Sequence, residues 1–266
     1  MSFKNTLTLG DRMKSYESAC DYKLNPFMNY MIRLDGKNFS KLTRRWKLQK
    51  PFDAKFNIAM NAASKALIKL IPNVKLVWHG SDEISVWFIF PDVGNPFFDG
   101  RIQKIISLAS SAASVAFNKK LCQLFPNVDL EDGIFDARIM QFPNEVEAAN
   151  CFIFRQRDGI RNSISICADY VIPKSQLFGK NSDEKKAMLS NANHCWEDEP
   201  DWVKFGTFIT KYTFEVTGET NNKYIRTKWS NYFKKIENVK DIEEIYNLQK
   251  NVTEISENQW NVYKGE

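Results

Sequence analysis

Mostly apolar runs alternate with polar breaks along the first half of the chain, and the spacing of the apolar residues separates strands from helices. Four short runs without a helical repeat predict buried strands, at residues 29–35, 74–79, 84–90 and 135–142. Two longer segments carry apolar residues three and four positions apart, which is typical of amphipathic helices, at residues 53–71 and 101–124. The predicted order is therefore strand, helix, strand, strand, helix, strand.

This order is that of the split βαβ, or ferredoxin-like, arrangement (βαββαβ), which belongs to the α+β class. In such a fold the end of the first strand meets the hairpin between the middle two strands, and we expect the sheet to expose one face. Before the first strand, residues 9–14 predict a short helix capped by Asp11. After it, residues 41–50 predict a strongly basic loop.

The second half of the chain is less regular and predicts helical and β additions to this core. Residues 144–190 have a helical pattern with polar interruptions, and residues 203–216 have the pattern of a strand or hairpin. The segment after them is rich in Asn, Lys and Glu with spaced aromatic residues, and we expect a helical extension there. We therefore divide the chain into a domain with its lead-in, an extension packed on that domain and a C-terminal extension, at 1–142, 143–216 and 217–266.

Candidate chemistry lies where the first strand and the first hairpin end. Asp35 follows a buried strand and precedes Gly36, while Asp82 and Glu83 lie in the turn at 80–83. Two carboxylates brought together at such an edge hold hard cations such as Mg2+, and those cations bind phosphates. The alternative is that these acids only cap a helix or form a turn, because aspartate favours both positions.

Composition narrows the choice of chemistry. The 266 residues are 43% hydrophobic with a formal net charge of +5, which attracts a polyanion without requiring one. The five cysteines are scattered without a CxxC pair, so neither a disulfide framework nor a thiolate zinc site is expected. The two histidines, His79 and His194, are interpreted as structural residues, which leaves little basis for Ser-His-Asp chemistry. No apolar run approaches the roughly 20 residues that span a membrane, so we expect a cytoplasmic protein without membrane partners.

Several short motifs, in their order and spacing, add a resemblance to a known family. The chain resembles the tRNA-histidine guanylyltransferase superfamily at 32–39, 50–53, 80–83, 135–138 and 154–165. It resembles the bacterial, archaeal and phage guanylyltransferase-like branch in particular at 9–14, 101–104 and 161–163. The eukaryotic branch has a His-Ile-Asn-Asn-Leu-Tyr-Asn-Thr segment that this chain lacks. The resemblance covers roughly residues 7–216.

The resemblance implies a 3′-to-5′ RNA polymerase, a nucleotidyltransferase with a ferredoxin-like palm that adds nucleotides to the 5′ end of tRNA or tRNA-like RNA. In this family the RNA 5′ end carries the activated phosphate, either adenylylated by ATP or as a triphosphate. The 3′-hydroxyl of the incoming nucleotide then attacks it. The implied cofactors are two Mg2+ ions, and the implied substrates are ATP and GTP. Family members form homotetramers, and we carry that assembly over as an expectation.

Site residues are also implied by position in the family. Asp35, Asp82 and Glu83 are the implied catalytic residues; Asp35, Asp82 and the carbonyl of Gly36 bind the metal ions, and Glu83 is a third ligand or supports the ligands. The implied nucleotide-binding residues are Asp35, Gly36, Lys37, Asn38, Phe39, Ser40, Lys50, Ser81 and Asp82. Those implied for the 5′-phosphate or the RNA are Arg101, Lys104, Arg155, Arg157, Arg161 and Asn162. Each basic residue has the alternative of a solvated or salt-bridged surface position.

Three functions follow from these observations. The first is template-dependent repair of the 5′ end of tRNA-like RNA. The second is the addition of a single guanylate to histidine tRNA, against which the missing eukaryotic segment argues. The third is an RNA-binding protein that kept the palm and lost catalysis, against which the presence of both Asp35 and Asp82 argues.

Overall fold

The computed structural model describes residues 7–126, 132–217, 223–247 and 253–256, and the strands in these residues form one sheet. The strands are β1 (Asn29–Gly36), β2 (Val74–Gly80), β3 (Glu83–Phe88), β4 (Phe135–Phe142), β5 (Thr207–Thr217), β6 (Lys223–Tyr232) and β7 (Thr253–Ser256). Their spatial order is β4-β1-β3-β2-β5-β6 with antiparallel neighbours, and β7 pairs with β5 in parallel. The first four strands of this order form the ferredoxin-like set, which confirms the predicted α+β class.

The helices surround this sheet. They are α1 (Leu9–Ser18), α2 (Phe39–Arg45), α3 (Ala54–Leu70), α4 (Ile102–Leu124), α5 (Glu145–Val171), α6 (Lys174–Leu177), α7 (Ser182–Asn191), α8 (Asp201–Lys204) and α9 (Val239–Asn247). The two predicted long helices are confirmed as α3 and α4. Asp53 begins α3 as expected, because its carboxylate accepts the N–H of Lys55 at 2.8 Å and of Phe56 at 3.3 Å. Among the described helices, none combines the length and the apolar character that crossing a membrane requires.

Two predictions near the N-terminus are wrong. Asp11 does not cap α1; Thr8 does, because its hydroxyl accepts the N–H of Asp11 at 3.1 Å. The basic segment 41–50 is not entirely a loop, since α2 occupies its first half. Its basic residues obscure an apolar repeat, in which Phe39 and Trp46 are buried in the core at 2% and 4% exposure.

One face of the sheet packs against α3 and α4. The alternate residues Tyr30, Ile32 and Leu34 of β1 are fully buried on this face. Ala63 of α3 and Ala109 of α4 are fully buried in the same cluster, and such small side chains let a helix lie close to its neighbours. Burial of each large apolar side chain stabilises the fold by roughly 1.5–3 kcal/mol. The core therefore holds β1 firmly between β3 and β4.

The opposite face is also covered, and the expectation that it is exposed is wrong. Met31 of β1 and Trp87 of β3 lie on this face and form a second cluster with Phe152 of α5. Ile242 and Ile245 of α9 complete that cluster. The physical reason is that these strands are apolar at both alternating sets of positions, so both faces must be removed from water.

The segment after residue 217 differs from the helical extension that its composition predicts. β6 pairs with β5 along its length, from Phe208 opposite Tyr232 to Thr217 opposite Lys223. In the described part of this segment the prediction of a helix holds for α9 alone, and residues 218–222, 248–252 and 257–266 lie outside the described residues. The strand was missed because charged and polar residues interrupt its apolar alternation, which strands at a sheet edge tolerate.

A pH dependence of stability follows from His79 on β2. Its side chain is 1% exposed, and burial lowers its pKa to about 3, so the folded protein holds it neutral. The unfolded chain binds a proton on this histidine below about pH 6.5. The free energy of unfolding should therefore fall as the pH drops below this value, by up to about 1.4 kcal/mol per pH unit from this group.

Thermal unfolding in metal-free buffer between about pH 7 and pH 5 measures this effect. We expect Tm to fall less steeply for His79→Gln than for the unchanged protein over this range. His194→Gln is the matched control, since the chain has only two histidines. Equal slopes for the unchanged protein and both variants would contradict the assignment to His79.

Candidate active site

A row of three carboxylates crosses the sheet where β1 ends. The strand register sets Asp35 of β1 directly opposite Glu83 of β3 on one side and opposite Asp136 of β4 on the other. Residues directly opposite on neighbouring strands point to the same face of the sheet. This face is the one that α5 covers, because Met31, four residues before Asp35, packs there. Asp136 was not among the predicted site residues; the pairing of β4 with β1 brings it into the row.

Asp82 joins this row from the turn between β2 and β3. The N–H of Gly36 donates to the carbonyl of Asp82 at 3.0 Å, which ties the end of β1 to the turn. The turn is strained, since Ser81 has a φ of 52°. The hydroxyl of Ser81 donates to the Asp82 carboxylate at 3.1 Å. Burial, followed by the charge of Asp35, raises the pKa of Asp82. Asp35 and Asp82 therefore converge as predicted, close enough for the charge of Asp35 to affect Asp82.

Glu83 is held by two arginines. Arg155 of α5 donates from Nε to Oε1 at 2.7 Å and from Nη2 to Oε2 at 2.6 Å, a bidentate pair. Arg33 of β1 places its Nε 3.0 Å from Oε2 of Glu83 and donates from Nη2 to Oδ2 of Asp35 at 3.3 Å. Both oxygens of Glu83 are therefore occupied by guanidinium groups. Of the two roles expected for Glu83, this arrangement favours support of the ligands over direct metal binding.

Arg155, which was expected to contact the 5′-phosphate or the RNA, is instead enclosed by acidic residues. Its side chain is 11% exposed, and beyond Glu83 it donates to Asp158 at 3.0 Å. Asp158 in turn accepts from Arg161 at 2.6 Å. A guanidinium enclosed in this way has little surface for an RNA backbone. Arg155 therefore connects α5 to the acidic row, whereas Arg161, which is 62% exposed, remains open to solvent.

In the loop after β1, a ligand can reach the main chain but not the apolar side chain of Phe39. The ring of Phe39 is 2% exposed and lies in the core, 5.0 Å from the ring of Phe135. Gly36 permits this packing, since a Cβ at that position would lie 2.5 Å from the Phe39 ring. The expectation that Phe39 binds nucleotide can thus apply only to its main chain. Asn38 beside it has a left-handed backbone with a φ of 57°.

A basic cavity opens beside this loop. Its volume is about 300 Å3, and it is lined by Lys37, Asn38, Lys41, Leu42, Arg45, Asp132 and Ile134. The N–H of Lys37 donates to the carbonyl of Ile134 at 2.8 Å, which fixes one wall. Lys41 and Arg45 were not predicted as site residues. Their signal in the sequence is the spacing of four between Lys41 and Arg45, which aligns these two side chains on one side of α2.

The remaining predicted basic residues lie on the surface of other elements. Arg101, just before α4, forms an ion pair with Asp21 at 2.7 Å, and Lys104 lies over the ring of Phe98 at 4.8 Å. Arg157 of α5 donates to the carbonyl of Glu237 at 3.3 Å. Other predicted residues with exposed positions are Ser40, Lys50, Ser81 and Asn162. Within the described residues, neither Arg101 nor Lys104 forms a hydrogen bond or ion pair with the acidic row.

The acidic row has the donor set of a hard-cation site. Asp35 and Asp82 supply carboxylate oxygens, and backbone carbonyls lie at the same edge of the sheet. Within the described part of the chain, no lysine or arginine forms an ion pair with Asp82, whose carboxylate is half-buried. Divalent Mg2+ prefers one or two carboxylates together with phosphate oxygens. The residues therefore fit such an ion on the basis of their chemistry and of the charge of Asp82.

Comparison with known proteins shows the family of the chain. The family model described as Thg1, tRNAHis guanylyltransferase, matches residues 10–143. Protein R259 of Acanthamoeba polyphaga mimivirus is 31% identical over 238 residues, covering 80% of each chain.

Two solved structures are of a bacterial tRNA(His) guanylyltransferase (Thg1)-like protein. The one in complex with ATP has a TM-score of 0.76 and 33% identity, and the match covers 91% of this chain and 99% of that chain. The one in complex with GTP has a TM-score of 0.73 and 32% identity, covering 91% and 98%. Sequence and fold agree: the chain belongs to the tRNAHis guanylyltransferase (Thg1) family of nucleotidyltransferases.

Proposed function

We propose that the protein adds nucleotides to the 5′ end of tRNA or tRNA-like RNA in the 3′-to-5′ direction, as template-dependent end repair. The observation that carries this proposal is the meeting of Asp35 and Asp82 at the end of β1, where burial and mutual repulsion raise the pKa of Asp82. A pair of carboxylates held close at a cost to the free protein is the arrangement that a dication relieves. Similarity to a bacterial Thg1-like protein in complexes with ATP and with GTP supports nucleoside triphosphates as the substrates.

Two Mg2+ ions are proposed to bind at Asp35, Asp82 and the carbonyl of Gly36. When bound, Mg2+ supplies positive charge that stabilises the phosphate oxygens during transfer. The protein prepares this site through Arg33, which contacts one oxygen of Asp35 at 3.3 Å and leaves the other available. Arg155 and Arg33 together fix Glu83, so that its charge does not compete for the cation.

The basic cavity is proposed to receive the triphosphate of the incoming nucleotide. It begins at Lys37, two residues after Asp35, and its cationic lining comes from Lys37, Lys41 and Arg45. The hydroxyl of Ser40 is a further donor at this edge, whereas the hydroxyl of Ser81 already donates to Asp82. Lys50, which is exposed, extends the positive surface. Charge-assisted bonds to phosphate are the stronger class of hydrogen bond, which suits a site that must hold a polyanion.

The RNA is proposed to lie on surface residues outside this cavity. Arg101 and Lys104 are assigned to the activated 5′-phosphate, and Arg157, Arg161 and Asn162 to the RNA backbone. Because such contacts are sequence-independent, they suit an enzyme that repairs the ends of more than one RNA. We also propose that the protein forms a homotetramer and that it acts in the cytoplasm, a compartment that contains tRNA.

A second candidate function is the addition of one guanylate to histidine tRNA. The description of the matching family model favours it, since that model is named for this reaction. The observation against it is the absence of the eukaryotic segment from the chain. An RNA-binding protein without catalysis is a weaker candidate, because both acids of the proposed metal site are present and converge.

Nucleotide addition to a 5′-truncated tRNA in the presence of Mg2+ and all four triphosphates tests the proposal. We expect template-matched addition of several nucleotides. Asp82→Asn should reduce the rate at least about a hundredfold, because the loss of a charged ligand removes several kcal/mol of stabilisation. Asp169→Asn, at an exposed position of α5, is the matched control and should leave the rate unchanged.

Each other result of this assay has a defined meaning. A single guanylate added only to histidine tRNA would replace the proposal by the second candidate. No addition to any RNA, together with metal-independent binding of RNA, would support the non-catalytic protein. An Asp82→Asn variant that remains folded and active would remove Asp82 from the site.

Because Arg155 contacts Glu83, we expect its substitution to lower turnover more than RNA binding. Arg155→Lys removes the bidentate bond to Glu83 and keeps the charge, so the acidic row loses its alignment. We expect kcat to fall roughly tenfold or more, as when other supporting partners of metal ligands are changed, with the KM for RNA nearly unchanged. Arg157→Ala should instead weaken RNA binding and reduce its salt slope by roughly one unit or less.

A double-mutant cycle provides the control for this prediction. Glu83→Gln combined with Arg155→Lys should cost less than the sum of the single changes, since both variants lose the same contact. Additive effects of the two changes, or an Arg155→Lys effect confined to the KM for RNA, would contradict the supporting role of Arg155.

A further inference from the structure

A second group of potential ligands lies outside the acidic row. Cys167 is near the end of α5, and His194 and Glu199 follow α7. His194 Nε2 lies 3.1 Å from Glu199 Oε1, and the thiol of Cys167 donates to the same oxygen at 3.9 Å. The sulfur, the ring nitrogen and the carboxylate oxygen all lie within 4.8 Å of one another. The sequence gives no sign of this grouping, because Cys167 is separated from the other two residues by α6 and α7.

These residues lie on a small, separate hydrophobic core. Ile164 of α5, Leu189 of α7 and Trp196 are buried together with Cys167 in this cluster. The indole N–H of Trp196 donates to the hydroxyl of Ser163 at 3.1 Å, which fixes the segment after α7 against α5. The ligand atoms are thus held by packed elements on both sides and not by a long loop.

The charge of Glu199 is a second observation that points to a bound cation. Its side chain is 15% exposed, yet among the described residues no lysine or arginine forms an ion pair with it. The neighbouring cations are used elsewhere: Lys186 pairs with Glu197 at 2.9 Å, and Lys204 pairs with Asp201 at 3.2 Å. A partly buried carboxylate beside a thiol and an imidazole, without a permanent cation, is a place where a dication would compensate the charge.

We propose that Cys167, His194 and Glu199 bind a zinc ion, with solvent in the fourth position. Zinc in proteins takes sulfur, nitrogen and oxygen ligands at about 2.0–2.3 Å in a tetrahedron, which separates ligand atoms by roughly 3.5 Å. Two of the separations, 3.1 Å and 3.9 Å, bracket that value and the third lies within 4.8 Å, so side-chain movements can bring all three ligand atoms to one ion. His194 is 30% exposed, which provides a path for the ion and for the fourth ligand.

Binding exchanges a proton for the metal. Without the ion, burial and the charge of Glu199 raise the pKa of the Cys167 thiol to about 12, so the thiol is protonated. On binding, the S–H bond breaks, the Zn–S bond forms and the proton passes to solvent, without any change of oxidation state. The ion would connect α5 to the segment after α7 and stabilise the small core, independently of nucleotide transfer.

Titration of the full, tag-free, metal-free chain with Co2+ tests the site, because cobalt bound to a thiolate gives a charge-transfer band that oxygen ligands do not give. We expect the thiolate band to reach its maximum at about one equivalent of Co2+, and Zn2+ to abolish the band. Cys167→Ser should abolish the band, and Glu199→Gln should weaken binding roughly tenfold or more. Cys195→Ser is the matched control and should keep the band, since the Cys195 thiol donates to Glu197 at 3.2 Å instead.

Thermal unfolding gives a readout that does not depend on the band. Zn2+ should raise Tm of the unchanged protein and of Cys195→Ser, because an ion that binds only the folded state stabilises it. Should Cys167→Ser fail to fold, His194→Gln, at a more exposed position, replaces it in both measurements. No thiolate band in the unchanged protein would overturn the proposal. So would a band that persists in Cys167→Ser, or one that is lost in Cys195→Ser.

Discussion

The crowding of carboxylates at the end of β1 is the constraint on which the rest of the structure depends. Glu83, Asp35 and Asp136 occupy adjacent register positions, with Asp82 at the neighbouring turn. Like charges directly opposite on paired strands destabilise a sheet. Arg33 and Arg155 neutralise Glu83, and the large apolar clusters on both faces hold the strands in register. Asp82 remains without an ion pair among the described residues, and Arg33 contacts one oxygen of Asp35. This remaining negative charge is the basis of the proposed cation site.

The covering of the second face connects stability to function. Phe152 of α5 packs in the same cluster as Trp87, and three residues further along the helix Arg155 binds Glu83. The same helix thus buries apolar surface and aligns the acidic row. Proteins commonly give up stability where a site needs strain or repulsion, and regain it through packing elsewhere. In this protein the backbone of Ser81, with a φ of 52°, and the repulsion between Asp35 and Asp82 reduce stability. The packing on both faces of the sheet offsets this loss.

The sequence predicts the central fold because its signals are local. The four strands, α3, α4 and the convergence of Asp35 and Asp82 follow from periodicity and chain order. The burial of Phe39 and the pairing of Arg155 depend on contacts between residues far apart in the chain, which periodicity does not contain. The spacing of Lys41 and Arg45 is visible in the sequence, but its meaning depends on recognising α2. Asp136 became a site residue only through the register of β4 with β1.

The thermal stability of Asp82→Asn, with and without Mg2+, tests the account most directly. Because burial and Asp35 raise the pKa of Asp82, its charged form costs stability at neutral pH, and asparagine removes that cost. In metal-free buffer at about pH 7, Tm of the variant should therefore exceed that of the unchanged protein, by roughly 2–4 °C for each kcal/mol of repulsion removed. Addition of Mg2+ with GTP should raise Tm of the unchanged protein much more than that of the variant. A variant that is less stable without metal, yet gains equally from Mg2+ and GTP, would contradict the claim that Asp35 and Asp82 form the cation site.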